Sequence, residues 1–124
     1  MAMKQLTSQM RNCVEKCHEC QEVCLETISY CLRKSGDHAN PEHIKLMLDC
    51  AEICGMSANF MSRDSRWHKD VCELCAEVCL HCADDCEGFE GDQRMMSCAE
   101  VCAECADSCR AMSKHSRERQ MSYR

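Results

Sequence analysis

The 124-residue chain has one proline, Pro41, and only four glycines: Gly36, Gly55, Gly88 and Gly91. So few breakers favour long helices joined by short connections. No stretch approaches the apolar length needed to span a bilayer, which excludes a membrane-spanning segment. The opening residues MAMKQLTSQMRNC lack the apolar run of a signal peptide, so the expected setting is the cytoplasm, where thiols stay reduced. There is no Gly-rich phosphate loop, and no paired carboxylates suggest acid–base catalysis, so the chain does not read as an enzyme. Basic residues cluster only in the tail KHSRERQMSYR, 114–124, which reads as a solvated end. With a formal net charge of −6, nucleic acid is excluded as the main partner.

Against these absences stand 16 cysteines and 10 methionines. The length allows one domain with a single core. Four helices are expected, at about 4–34, 41–61, 66–87 and 93–116. Gly36 follows the first. Asn40 and Pro41 supply the N-cap and first position of the second. SRDS (62–65) offers caps for the third, and EGFEGD (87–92) makes a turn in which Asp92 caps the fourth. Short connections make consecutive helices antiparallel neighbours, so the fold class is all-α: an antiparallel up-down-up-down four-helix bundle with a cysteine-lined core. CHECQEVC (17–24) matches CELCAEVC (72–79), and CAEIC (50–54) matches CAEVC (98–102), as a duplicated helical hairpin would.

The cysteines recur three and four residues apart, on one face of each helix. The stripes are Cys13, Cys17, Cys20, Cys24 and Cys31; Cys50 and Cys54; Cys72, Cys75, Cys79, Cys82 and Cys86; and Cys98, Cys102, Cys105 and Cys109. Met3, Leu6, Met10 and Thr27 continue the first stripe, and His43, Met47, Ser57 and Met61 the second. His68 begins the third, and Met95 and Met112 bracket the fourth. These are the inward positions of a bundle, where Leu and Ile normally sit. Sixteen small thiols alone make a thin core, so something else should fill it. Disulfides within a helix would be strained, because neighbours at these spacings are about 5–6 Å apart at Cβ. A CxxC redox centre normally lies at a helix start, whereas Cys17–Cys20 and Cys72–Cys75 lie inside helices.

Metal is the remaining filler. The ferredoxin run for iron–sulfur clusters is absent. Zinc remains possible, because facing helices can build tetrahedral sites. Thiolate and thioether together select Cu(I). One Cu(I) on two thiolates leaves a buried negative charge, and about one copper per thiolate removes it. Cu(I) storage by core thiolates therefore competes with a zinc or general metal buffer and with a thiol–disulfide redox enzyme.

The series CVEKCHECQEVC, CAEIC, CELCAEVCLHCADDC and CAEVCAECADSC resembles the bacterial copper storage proteins, which are cysteine-rich four-helix bundles. The likeness covers about residues 4–116. It implies many Cu(I) ions held by the sixteen cysteines, a homotetramer, and the cytosolic branch of the family. The second helix, with only Cys50 and Cys54, departs from the pattern and leaves one wall poorer in thiolate.

Off the stripes, His18 and His81 read as surface histidines, and Glu19, Glu22, Glu77 and Glu100 as a solvated face. Val23, Ile28, Ile53, Val78 and Val101 should close seams between helices or face another subunit. One end gathers Leu6, Met10, Phe60, Met61, Trp67, His68 and Met112 as a bulky plug, where His68 with Met10 and Met61 offers a rival mouth. The other gathers His43, Met47 and Met95, with Met96 and His38 nearby. Its donors and its glycine-bearing loops make it the expected mouth for copper.

Overall fold

In the computed structural model, residues 6–113 are described. The helices are α1 (Ser8–Lys34), α2 (Pro41–Ser62), α3 (His68–Glu87) and α4 (Gln93–Met112), with a 3-10 turn over Gly36–Ala39. Sequence-adjacent helices pack together, α4 closes against α1, and the diagonal helices meet only through core thiols, as Cys54 of α2 and Cys105 of α4 do at 3.8 Å. This is the expected antiparallel up-down-up-down bundle.

The termini follow local chemistry. Thr7 Oγ1 accepts from Met10 N at 3.1 Å, so α1 begins at Ser8, later than expected; Met3 lies outside the described residues. Asn40 Oδ1 accepts from Glu42 N at 2.9 Å ahead of Pro41. Asp92 Oδ1 accepts from Arg94 N and Met95 N at 3.0 and 3.2 Å. Gly36 follows α1 with φ +61°.

SRDS serves α3 only in part: Ser65 Oγ accepts from Trp67 N at 3.1 Å in the turn before the helix, while the segment ends α2. Ser65 N bonds Phe60 O at 2.9 Å and Asp64 N bonds Met61 O at 3.0 Å. This is a Schellman arrangement, with Asp64 (φ +51°) in the left-handed position usually given to glycine. α3 therefore starts two residues late, at His68, with no side-chain cap. α4 ends at Met112, and the basic tail 114–124 lies outside the described residues.

The core inverts ordinary bundle composition. All sixteen cysteines are 0 % exposed, whereas Leu25, Leu32, Leu48, Leu74 and Leu80 are each 40–55 % exposed. Beside the thiols, Ala51, Ala58, Ala76, Ala83, Ala99 and Ala106 are 3 % exposed or less, and let the helices approach closely. Ile28 is buried, and Val23, Ile53, Val78 and Val101 pack half-buried against this core. Trp67 does not plug the bundle. It is 55 % exposed, under the Arg66 guanidinium, because it sits in the turn before α3 instead of inside the helix. Phe60 is half-buried beneath Arg63, and His18 and His81 are exposed.

Candidate metal centre

The sixteen thiols are unbridged, and no sulfur pair approaches a disulfide length. They stand at van der Waals and weak hydrogen-bond distances. Cys54 Sγ lies 3.5 Å from Cys79 and 3.8 Å from Cys105, Cys17 lies 3.5 Å from Cys109, and Cys24 lies 3.7 Å from Cys102. These contacts come from all four helices, as the stripes require.

Four groups of four sulfurs each lie within 4.8 Å of one another: Cys17, Cys75, Cys105 and Cys109; Cys54, Cys75, Cys79 and Cys105; Cys20, Cys50, Cys54 and Cys79; and Cys20, Cys24, Cys50 and Cys102. Consecutive groups share two members. The pairs are Cys75 and Cys105, then Cys54 and Cys79, then Cys20 and Cys50. The result is one unbroken ladder of thiols along the bundle axis. Cys13 adjoins it through Cys109 at 3.7 Å. Cys50 sits inside the ladder, a level deeper than its place as the outermost cysteine of α2 suggested. Met47 takes the outer level instead.

The distances suit either metal, because tetrahedral zinc–sulfur bonds of about 2.3 Å also place sulfurs a little under 4 Å apart. Charge sets how many ions of each the core can hold. Among the described residues the buried polar side chains are Thr27, His43, Ser57 and Ser113, so none of their lysines or arginines lies in the core to neutralise thiolates. An isolated zinc on four thiolates carries two uncompensated negative charges there; where thiolates are shared, zinc balances at one per two thiolates and Cu(I) at one per thiolate. A ladder that shares ligands permits these ratios; isolated four-sulfur sites do not.

Burial opposes ionisation throughout. It raises the Cys31 thiol to about 11, with Cys98, Asp92 and Asp85 adding to the effect. Within the ladder, hydrogen bonds led by that from Cys102 hold Cys50 down, while those led by Cys105 push Cys54 up. One ionised thiol thus keeps its neighbours protonated. Filling the ladder requires each incoming cation to displace a proton.

The end near α2's start is polar. His43, 5 % exposed, places Nε2 3.4 Å from Cys31 Sγ, and Met95 Sδ lies 3.6 Å from the same sulfur. Met47 and Met95 are both 0 % exposed. His43 Nδ1 donates to the Asp85 carboxylate, which leaves the neutral ring's Nε2 lone pair for a soft cation. Phe89 covers the rings of His43 and His38 at 4.8 and 4.4 Å, and His38 Nε2 donates to Asp92 Oδ2 at 2.9 Å. Met96 is half-buried against the core.

Asp85 and Phe89 were missed in the sequence. The available signal for Asp85 was its place directly before the last cysteine of α3. Phe89 gave none beyond its position in a glycine-flanked turn.

The sequence pattern of the copper storage protein family, Csp, matches residues 6–114. The chain belongs to that family. A protein of Nitrosospira multiformis is 39 % identical, covering 86 % of this chain and 95 % of its own, with a TM-score of 0.81. The Cu(I)-bound copper storage protein BsCsp3, of Bacillus subtilis, is 33 % identical over 86 % of this chain and 99 % of its own, with a TM-score of 0.79. A cytosolic copper storage protein from Streptomyces lividans, solved with five coppers, is 28 % identical over 86 % and 92 %, with a TM-score of 0.77. No described helix of this Csp protein is long and apolar enough to cross a membrane.

Proposed function

We propose that this protein stores Cu(I) in the cytoplasm, as a binding protein and not an enzyme, with all sixteen cysteines as ligands. The observation that carries the reading is the ladder of four-thiol groups that share members in pairs. It allows copper and thiolate to balance in a core where none of the described lysines or arginines is buried. The relatives bound to Cu(I) support copper, and the cytosolic Streptomyces relative supports the location. A homo-oligomer, a tetramer by family resemblance, accounts for leucines left on the outer faces, Leu32 at 55 % and Leu74 at 51 % exposed. Light scattering on the purified chain tests the assembly.

Copper enters at the His43 end in this reading. Outside His43 lies an open groove lined by four carboxylates, Asp37, Glu42, Asp49 and Asp85, against one cation, Lys45, so its net negative charge attracts a cation or a cationic donor. His43 and Met95 then offer neutral donors beside Cys31. Thioether and imidazole bind Cu(I) more weakly than thiolate and release no thiol proton, which suits capture followed by transfer inward.

Titration with Cu(I) against a chromogenic chelator should show many tight equivalents. A few weak coppers with a preference for zinc would sink the storage reading in favour of a zinc buffer. Disulfide reductase activity in metal-free protein would favour the redox enzyme. For the entrance, Met47→Leu with Met95→Leu should slow initial uptake and leave capacity nearly unchanged. Slowing by Met10→Leu with Met61→Leu instead would move the entrance to the other end.

A further inference from the structure

Two buried side-chain polar atoms lack a hydrogen-bond partner among the described residues: Ser57 Oγ and His68 Nε2. Leaving such a group unpaired is costly, so each calls for a partner. Both lie toward the same end of the bundle, the one that Met61 and Met112 also close, and opposite His43.

The His68 ring is held in a ligand's orientation. Its Nδ1 lies 2.8 Å from the Ser65 carbonyl oxygen. A carbonyl only accepts, so Nδ1 carries the proton, and the neutral ring's lone pair sits on the buried Nε2. Metal-binding imidazoles are fixed in this way, by donating their other nitrogen to a carbonyl or carboxylate. Cys72 follows one helical turn later on the same face and is 0 % exposed. It is outside the four-thiol groups and adjoins the ladder's end through Cys13 and Cys109.

We propose that His68 Nε2 and Cys72 Sγ form a terminal Cu(I) site at the end of the bundle opposite His43. The inference rests on the copper reading above. A Cu(I) held by one thiolate and one neutral imidazole is uncharged, so the outermost cysteine can take a metal without burying a net charge. Ser57 fits the same site. Cys54 Sγ lies 3.8 Å from Cys75 Sγ across the antiparallel α2–α3 pair. Ser57, one turn beyond Cys54, is therefore level with Cys72, one turn before Cys75. The Cys72 thiolate that copper requires can accept the Ser57 hydroxyl proton in a hydrogen bond, so one ion resolves both unpaired groups. The opposite end is built alike, with His43 against Cys31 and its Nδ1 tied to Asp85. Each end of the ladder closes on a cysteine–histidine pair.

The test is anomalous scattering at the copper edge from crystals of the full chain loaded to saturation with Cu(I), together with solution titration of His68→Leu, whose side chain fills the same space. The expected map has a copper peak bonded to both His68 Nε2 and Cys72 Sγ. His68→Leu should lose that peak and the equivalent it represents, and keep the peaks along the ladder. Peaks along the ladder with none at His68, or a variant that keeps both the copper on Cys72 and full capacity, would overturn this inference and leave storage intact. A ladder without copper would overturn both. If the variant fails to fold, the wild-type map decides alone.

Discussion

Cys54 belongs to two of the overlapping four-thiol groups, so its removal tests whether the ladder works as a unit. In the empty protein, Cys54→Ala deletes one fully buried sulfur. Treated as a methylene-sized loss plus a small cavity, the cost is about 1–2 kcal/mol. At about 5 °C per kcal/mol for a domain of this size, the melting temperature should fall by roughly 5–10 °C. In the loaded protein two adjacent groups each lose a ligand. A copper held at about 100 times its Kd contributes about 2.7 kcal/mol. Losing even one should therefore lower the loaded melting temperature by roughly 10 °C beyond the fall in the empty protein. The assay is thermal melting of both forms, with copper capacity from chelator competition. Ile28→Ala is the control: Ile28 is a buried aliphatic off the thiol ladder, and its penalty should be equal in both forms. Equal penalties for Cys54→Ala in both forms, with undiminished capacity, would mean that Cys54 only packs, and the shared-ligand reasoning would be wrong.

Stability of the empty protein should fall as pH rises from 9 toward 11, because the folded Cys31 thiol is raised to about 11 and holds its proton where the unfolded chain releases it. Urea midpoints across this window should show the decline, and an increase would contradict the assignment. At the acid end the sign reverses. Burial pushes the Asp92 carboxyl up, but hydrogen bonds from Tyr30, His38 and two backbone amides hold it down at about 2, so its contribution is lost as pH drops below 3.8. Asp92→Ala should cost about 2 kcal/mol by removing the α4 cap and those side-chain bonds; a loss below a few tenths in chemical denaturation would refute it. Gly55→Ala should stabilise by up to about 1 kcal/mol, since the added methyl meets only the mobile Gln21 amide at 2.5 Å while the helix gains a better former. A destabilised variant would show that Gln21 cannot move aside.

Fold and thiol ladder were legible because both rest on period. Residues three and four apart on a helix share a face whatever surrounds them, so Cys13 to Cys109 could be placed inward before any contact was known. Caps that act within four residues were equally legible at Asn40 and Asp92. What failed depended on geometry across a turn. SRDS offers the same cap residues to the helix before it and the helix after it, and the left-handed Asp64 settles it for α2. Trp67 looked like packing material by composition, but its position in that turn turns it outward. Asp85 became visible only when α2 and α3 were set side by side, because its partner His43 is 42 residues away.

The walls bear on how metal reaches the ladder. Between the helices, six alanines 3 % exposed or less and a line of half-buried aliphatics close the seams. A copper ion crossing there would meet no donor until it reached a thiol, and would shed its ligands in apolar surroundings at high cost. The ends differ. At one, a groove with four carboxylates leads to His43, Cys31 and Met95; at the other, His68 has a fully buried ring nitrogen ahead of Cys72. Within the ladder, passage along the axis lets one sulfur hand the ion to another under 4 Å away, as from Cys17 to Cys109 at 3.5 Å. On this reasoning, closing the ends should slow uptake far more than altering the walls. Enlarging seam residues, as in Ala83→Val, should change uptake little where the fold tolerates it. If Ala83→Gly, which loosens the wall, accelerated loading as strongly as the end substitutions retard it, axial passage would have to be abandoned.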